Sequence, residues 1–133
     1  MAIPIQITVD ARDPRRLAAF WAVALGYVLQ PPRPGYLVRS GDGAREEQYT
    51  AIVDPAGIGP RILFQRVPEP KTLKNRVHLD VNAGHGGTDR RAAVRSHMSQ
   101  LVAAGATVQR EMQEESGWWI VLSDPEGNEF CLQ

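Results

Sequence analysis

Apolar and polar residues alternate at the start of the chain. In "IPIQITVD", Ile5, Ile7 and Val9 share one side and Gln6, Thr8 and Asp10 the other, the pattern of a half-buried strand. The period then lengthens. Leu17, Phe20, Trp21, Ala24 and Leu25 recur at helical spacing, which predicts a helix capped by Asp13, with Pro14 in its first turn and Gly26 as its stop. The same succession returns later. In "VHLDV", Val77, Leu79 and Val81 lie opposite His78 and Asp80. Thr88 or Asp89 then caps a helix that is expected to bury Val94, Met98, Leu101 and Val102 and to end at Gly105.

The later parts of the two stretches also correspond. "VDPAGIGPRILFQ" and "SDPEGNEFCLQ" each place Asp-Pro-x-Gly before an apolar strand. Pairing Gln6 with His78, and Asp54 with Asp124, gives two offsets that are both about 70 residues, the mark of an internal repeat. Strands are expected at 3–10, 27–30, 48–53 and 61–67, then at 77–82, 107–111, 118–123 and 129–132. Residues 31–47 read as a long loop and 68–75 as a linker. The expected fold is α+β: two tandem βαβββ modules, about 1–67 and 76–133, within one domain spanning 1–133. A module of this kind covers one sheet face with its helix. The two sheets together are expected to curl into an eight-stranded half-barrel, helices outside, around a polar-lined hollow. Alternation assigns Gln6, Thr8, Gln65, His78, Asp80, Glu129 and Cys131 to the hollow, and Ile7, Phe64, Leu79 and Phe130 to the helix side.

Composition narrows the function classes. In 133 residues, 15 basic and 15 acidic side chains cancel, so no strong overall field favours nucleic acid or an anionic membrane. The densest basic run, "RRAAVR" at Arg90–Arg95, lacks interleaved aromatics and reads as a solvated helix face. One cysteine makes no internal disulfide, which fits a reducing compartment, and the N-terminal stretch has no signal-peptide pattern. A cytoplasmic location is therefore expected. No apolar run approaches the ~20 residues of a membrane span.

The duplicated arrangement, with "DPRRLAAFWAVALGY" after the first strand and "DPEGNEF" before the last, resembles the vicinal oxygen chelate superfamily. "FQRVPEPKTLKNRVHLD" has the look of its glyoxalase-like domain branch. That resemblance implies a fold shared by glyoxalase I, dioxygenases, and fosfomycin- and bleomycin-resistance proteins. It implies four inward-facing ligand positions, usually His and Glu, which fall here on Gln6, Gln65, His78 and Cys131. Two amides carry no charge, and a divalent ion is normally held by imidazoles and carboxylates. Glu129 lies two residues, about 7 Å, from Cys131 along the strand. The expectation is thus no metal and no cofactor, and a small organic molecule bound by a homodimer of the bleomycin-resistance type. Two alternatives stand beside it: an enzyme, either metal-dependent or an acid–base catalyst using His78 and Glu129, and a non-catalytic regulatory or interaction module.

The remaining candidates are weighed by position. Cys131 reads as a pocket lining and not a nucleophile, since a reactive thiol needs a base or a positive field beside it. His85 and His97 read as loop and helix-surface histidines, and Trp21 as packing between helix and sheet. Trp118 and Trp119 are adjacent on a strand, so one faces the hollow; the sequence does not say which. Tyr36, Arg39, Lys71 and Lys74 are candidates to close over an anionic or aromatic ligand.

Overall fold

The computed structural model describes residues 1–133, which divide into two compact units, Met1–Pro70 and Lys71–Gln133. In the first unit β1 (Gln6–Ala11) leads into α1 (Pro14–Leu25), followed by β2 (Val28–Leu29), β3 (Leu37–Arg39), β4 (Arg45–Glu47), β5 (Tyr49–Val53) and β6 (Arg61–Arg66). The helix begins where the Asp13 carboxylate accepts the Arg16 backbone N–H at 3.1 Å. It ends at Gly26, whose φ of 67° is open to glycine at little cost. The main sheet runs β1-β6-β5-β2, with β1 parallel to β6 and the other pairs antiparallel. Leu17, Phe20 and Trp21 of α1 and Ile52, Ile62 and Phe64 of the sheet are all buried.

The second unit contains β7 (Asp80–Val81), α2 (Arg90–Ala103), β8 (Thr107–Glu114), β9 (Gly117–Ser123) and β10 (Glu129–Leu132), in the order β7-β10-β9-β8. This is the connectivity of the first unit again, β7 standing for β1 and β10 for β6. The fold is α+β and the βαβββ repeat is present twice. The two Asp-Pro-x-Gly turns share one mechanism. Asp54 accepts backbone N–H bonds from Ala56, Ile58 and Gly59; Asp124 accepts them from Glu126 and Asn128. Asp124 is thereby satisfied although it is buried.

Several elements differ from the alternation. The 31–47 segment holds a hairpin, β3 with β4, in a separate two-stranded sheet. Its turn is tied by Ser40 to the Ala44 carbonyl and by Asp42 to the Ala44 N–H, with Gly43 at φ 84°. β7 is far shorter than 77–82: the Asn75 side chain bonds the Val77 carbonyl and leaves Val77 exposed. On α2, Asp89 is the cap, bonding the Ala92 N–H. Val94 and Leu101 are buried, but Val102 is 46 % exposed, because one residue turns the helix face by about 100° away from the sheet.

A β-bulge in β8 matters most for the site. Val108 pairs with Leu122 and Arg110 with Val121, so Gln109 is the extra residue. The bulge shifts the alternation by one and places Arg110 on the face opposite α2.

Truncating the fully buried Phe64 or Phe130 to Ala is expected to cost about 3–5 kcal/mol, the usual range for emptying an aromatic core site. His78→Ala, at an exposed position, should change stability by about 0.5 kcal/mol or less. Urea melts of the three variants decide. Equal losses in all three would mean that the face opposite α2 is a second packed core.

Candidate functional site

In the second unit the face opposite α2 forms the wall of a cleft of about 780 Å³. The ladder register fixes its members. Cys131 lies beside Asp80 of β7 on one side and Val121 of β9 on the other, so all three share a face. Two residues back from Val121 is Trp119, which therefore also faces the cleft, opposite Met112. Lys74, His78, Gln109, Arg110, Ser123 and Glu129 complete most of the lining.

Trp118 points the other way. Its indole N–H donates to Glu111 at 2.5 Å, and the guanidinium carbons of Arg90, Arg91 and Arg95 lie 5.9, 4.7 and 5.4 Å from its ring centroid. Arg95 also bonds both Glu111 oxygens, and these partners hold the Glu111 carboxyl below its ordinary pKa, the Trp118 bond first. The "RRAAVR" run is thus not merely a solvated face. Its aromatic partner comes from β9, where no local spacing announces it.

Within the cleft three groups form a chain centred on one carboxylate. His78 Nε2 lies 3.3 Å from Asp80 Oδ1, and the Cys131 sulfur lies within 4.8 Å of both groups. Burial pushes the Cys131 thiol pKa up, and the nearby Asp80 carboxylate pushes it further, against the weaker pull of Arg110 and Lys74. Cys131 is therefore a neutral donor at physiological pH.

Glu129 is a strut. Lys71 reaches one of its oxygens at 3.1 Å and the Asn75 backbone N–H the other at 3.1 Å. The Asn75 side chain also exchanges bonds with the Glu129 backbone. Burial opposes ionisation of Glu129, but the Asn75 and Lys71 bonds outweigh it and the pKa is lowered. Both oxygens of this catalytic candidate are engaged. His97 contacts Gln100 on the helix and His85 lies in the loop before α2.

In the first unit Gln6, Thr8 and Gln65 share the face opposite α1, next to Arg61 and Leu63. If Gln65 corresponds to Cys131, the partners across the ladder correspond too: Asp10 beside Gln65, Asp80 beside Cys131. The counterpart of His78 is then Thr8, two residues along the same face from Gln6. The closer match of "TVD" to "HLD" was the available signal. Tyr36 accepts a bond from Arg61, while Arg39 lies on exposed β3.

Residues 6–133 match the family described as glyoxalase-like domain. The chain belongs to that family. No curated protein matches the sequence closely enough to count as a relative. Among solved structures, a glyoxalase/bleomycin resistance protein/dioxygenase family enzyme from Burkholderia phytofirmans PsJN is 19% identical, covering 96% of this chain and 94% of its own, with a TM-score of 0.63. The fosfomycin resistance protein FosX of Listeria monocytogenes, an E126Q mutant in complex with Mn(II) and 1S,2S-dihydroxypropylphosphonic acid, is 14% identical over 100% of this chain and 90% of its own, with a TM-score of 0.65. TioX from Micromonospora sp. ML1 is 18% identical over 98% of this chain and 97% of its own, with a TM-score of 0.59. These likenesses show that the chain shares the fold of those proteins.

The metal that the vicinal oxygen chelate superfamily implies fits these residues poorly. His78, Asp80 and Cys131 bring ligand atoms within 4.8 Å of one another. The thiol must lose its proton before it can bind an ion, and its burial and the Asp80 charge oppose that loss. Lys74 and Arg110 add positive charge beside them. On the first sheet, Thr8, Gln6 and Gln65 offer no charge.

A raised thiol pKa predicts a slow cysteine. Alkylation of Cys131 by iodoacetamide at pH 8 should run about tenfold or more below the rate for free cysteine. Asp80→Asn should accelerate it by removing the negative charge. A wild-type rate equal to that of free cysteine would contradict this reading of the cleft.

Proposed function

We propose that the chain binds a small organic molecule on the cleft face of its second sheet, without a metal ion, in the manner of the bleomycin-resistance type of the superfamily. The observation that carries this reading is the composition of the cleft: one indole, Trp119, set among His78, Asp80, Gln109, Ser123 and Arg110. A cleft of about 780 Å³ lies within the range of about 300–1,000 Å³ usual for small-molecule sites. The indole supplies a flat apolar platform, and the surrounding groups supply both donors and acceptors. The ligand class is therefore a planar, polar molecule. The Listeria FosX structure, which carries a small phosphonic acid together with Mn(II), supports small-molecule binding on this fold.

The proposed setting is the cytoplasm, where a single cysteine stays reduced. The proposed assembly is a homodimer, supported by the exposed Val28, Leu29, Leu37 and Val38 of the first unit. A second reading, a metal-free acid–base catalyst, has one observation in its favour. Asp80 Oδ1 lies 3.3 Å from His78 Nε2, a carboxylate–imidazole pair of the kind used in general acid–base catalysis. In that reading Asp80, and not Glu129, is the partner of His78.

The test is a panel of heteroaromatic compounds bearing hydroxyl or amide groups, followed by melting temperature and tryptophan fluorescence. Binders should raise Tm and quench fluorescence. Trp119→Ala and His78→Ala should each weaken binding by about tenfold, the loss of one stacking or polar anchor. Binders that act equally on both variants would place the ligand elsewhere. Turnover of a binder, lost in His78→Ala, would favour the catalytic reading.

A further inference from the structure

Arg61, the first residue of β6, carries a fixed positive charge with no acid to neutralise it. Its Nε–H donates to Gln30 Oε1 at 2.9 Å, one terminal nitrogen to Gln6 Oε1, and the other to the Tyr36 hydroxyl at 2.7 Å. All three acceptors are neutral. No carboxylate lies within ion-pair distance of Arg61, whereas Arg15 and Arg95 have Glu47 and Glu111. Asp10 shares the sheet face, but it stands four residues beyond Gln6, about 13 Å along the strand.

A half-buried cation that has given up part of its water normally takes an anionic partner, because neutral hydrogen bonds satisfy N–H groups without cancelling charge. Arg61 has the hydrogen bonds and lacks the anion. Three of its five N–H groups are used. One remains on each terminal nitrogen, the two atoms with which a guanidinium grips a carboxylate. The three acceptors come from β1, the residue after β2 and the 31–47 segment, so the side chain is fixed from three directions. Ordering it around a ligand therefore costs little.

We infer that Arg61, held by Gln6, Gln30 and Tyr36, is a binding site for the carboxylate group of a small organic acid. The inference stands on the first unit alone and is independent of the cleft in the second. It also accounts for Gln6, whose oxygen turns toward a cation while its amide nitrogen lies 3.4 Å from the Thr8 hydroxyl. A divalent ion has no place beside that guanidinium.

The test is a titration of 15N-labelled protein with sodium acetate, with sodium chloride at equal ionic strength as the reference. The signals followed are the Arg61 Nε–H and the Gln6 and Gln30 side-chain amides. Acetate should shift them saturably and chloride should not. Arg61→Lys keeps the charge but loses the fork, and should weaken acetate binding several-fold. Arg61→Gln, checked for an intact amide spectrum, should weaken it by about tenfold or more. If Arg61→Gln does not fold, the wild-type and Arg61→Lys titrations decide. Shifts that fail to saturate, that chloride reproduces, or that persist undiminished in the variants overturn the inference. Because none of these signals comes from the Trp119 cleft, the result leaves the reading of the second unit untouched.

Discussion

A four-stranded sheet with a single helix has one face to bury and one to leave open. Both units of this chain obey that constraint, and the placement of core and cleft depends on it. On the helix side Phe64, Ile62, Phe130 and Leu122 are essentially without solvent contact. Burial of that face supplies the dominant driving force, at roughly 25 cal/mol per Å² of apolar surface. The opposite face carries Gln6, Thr8 and Arg61 in one unit and His78, Asp80 and Arg110 in the other. A sheet with helices on both sides would have no room for these groups; a sheet with none would not be stable.

In the second unit Asp80 organises the open face. Its carboxylate lies 3.3 Å from His78 Nε2, and its charge helps to hold the Cys131 thiol pKa up. Glu129 plays a comparable part at the edge of the cleft. Its ionised carboxylate fastens residues 71–75 to β10, which turns the linker into part of the second unit. In both units a charged side chain closes a loop onto its sheet, Glu129 in one and Arg61 in the other.

The repeat, its helix caps and its turns were legible because each is encoded locally. Asp13, Asp89, Gly26 and the two Asp-Pro-x-Gly segments act within a few residues of themselves. What was not legible depended on partners distant in sequence. Alternation alone cannot show that Gln109 is a bulge, and so missed Arg110 as a cleft residue. It left Trp118 and Trp119 undecided until the pairing of Cys131 with Val121 fixed the register. Arg61 carried no motif at all; its character comes from Gln6, Gln30 and Tyr36, which lie up to 55 residues away. The β3–β4 hairpin had a local signal in Asp42-Gly43, but the surrounding prolines and glycines made a loop the simpler reading.

The central proposal is that the cleft binds its ligand without a metal ion. Metal analysis of protein purified without chelator from zinc- and manganese-supplemented medium tests it most directly, with His78→Ala measured alongside. The predicted result is well under one equivalent of any transition metal, the same in both proteins. Near-stoichiometric metal in the wild type that is lost in His78→Ala would contradict it, and would make His78, Asp80 and Cys131 its ligands.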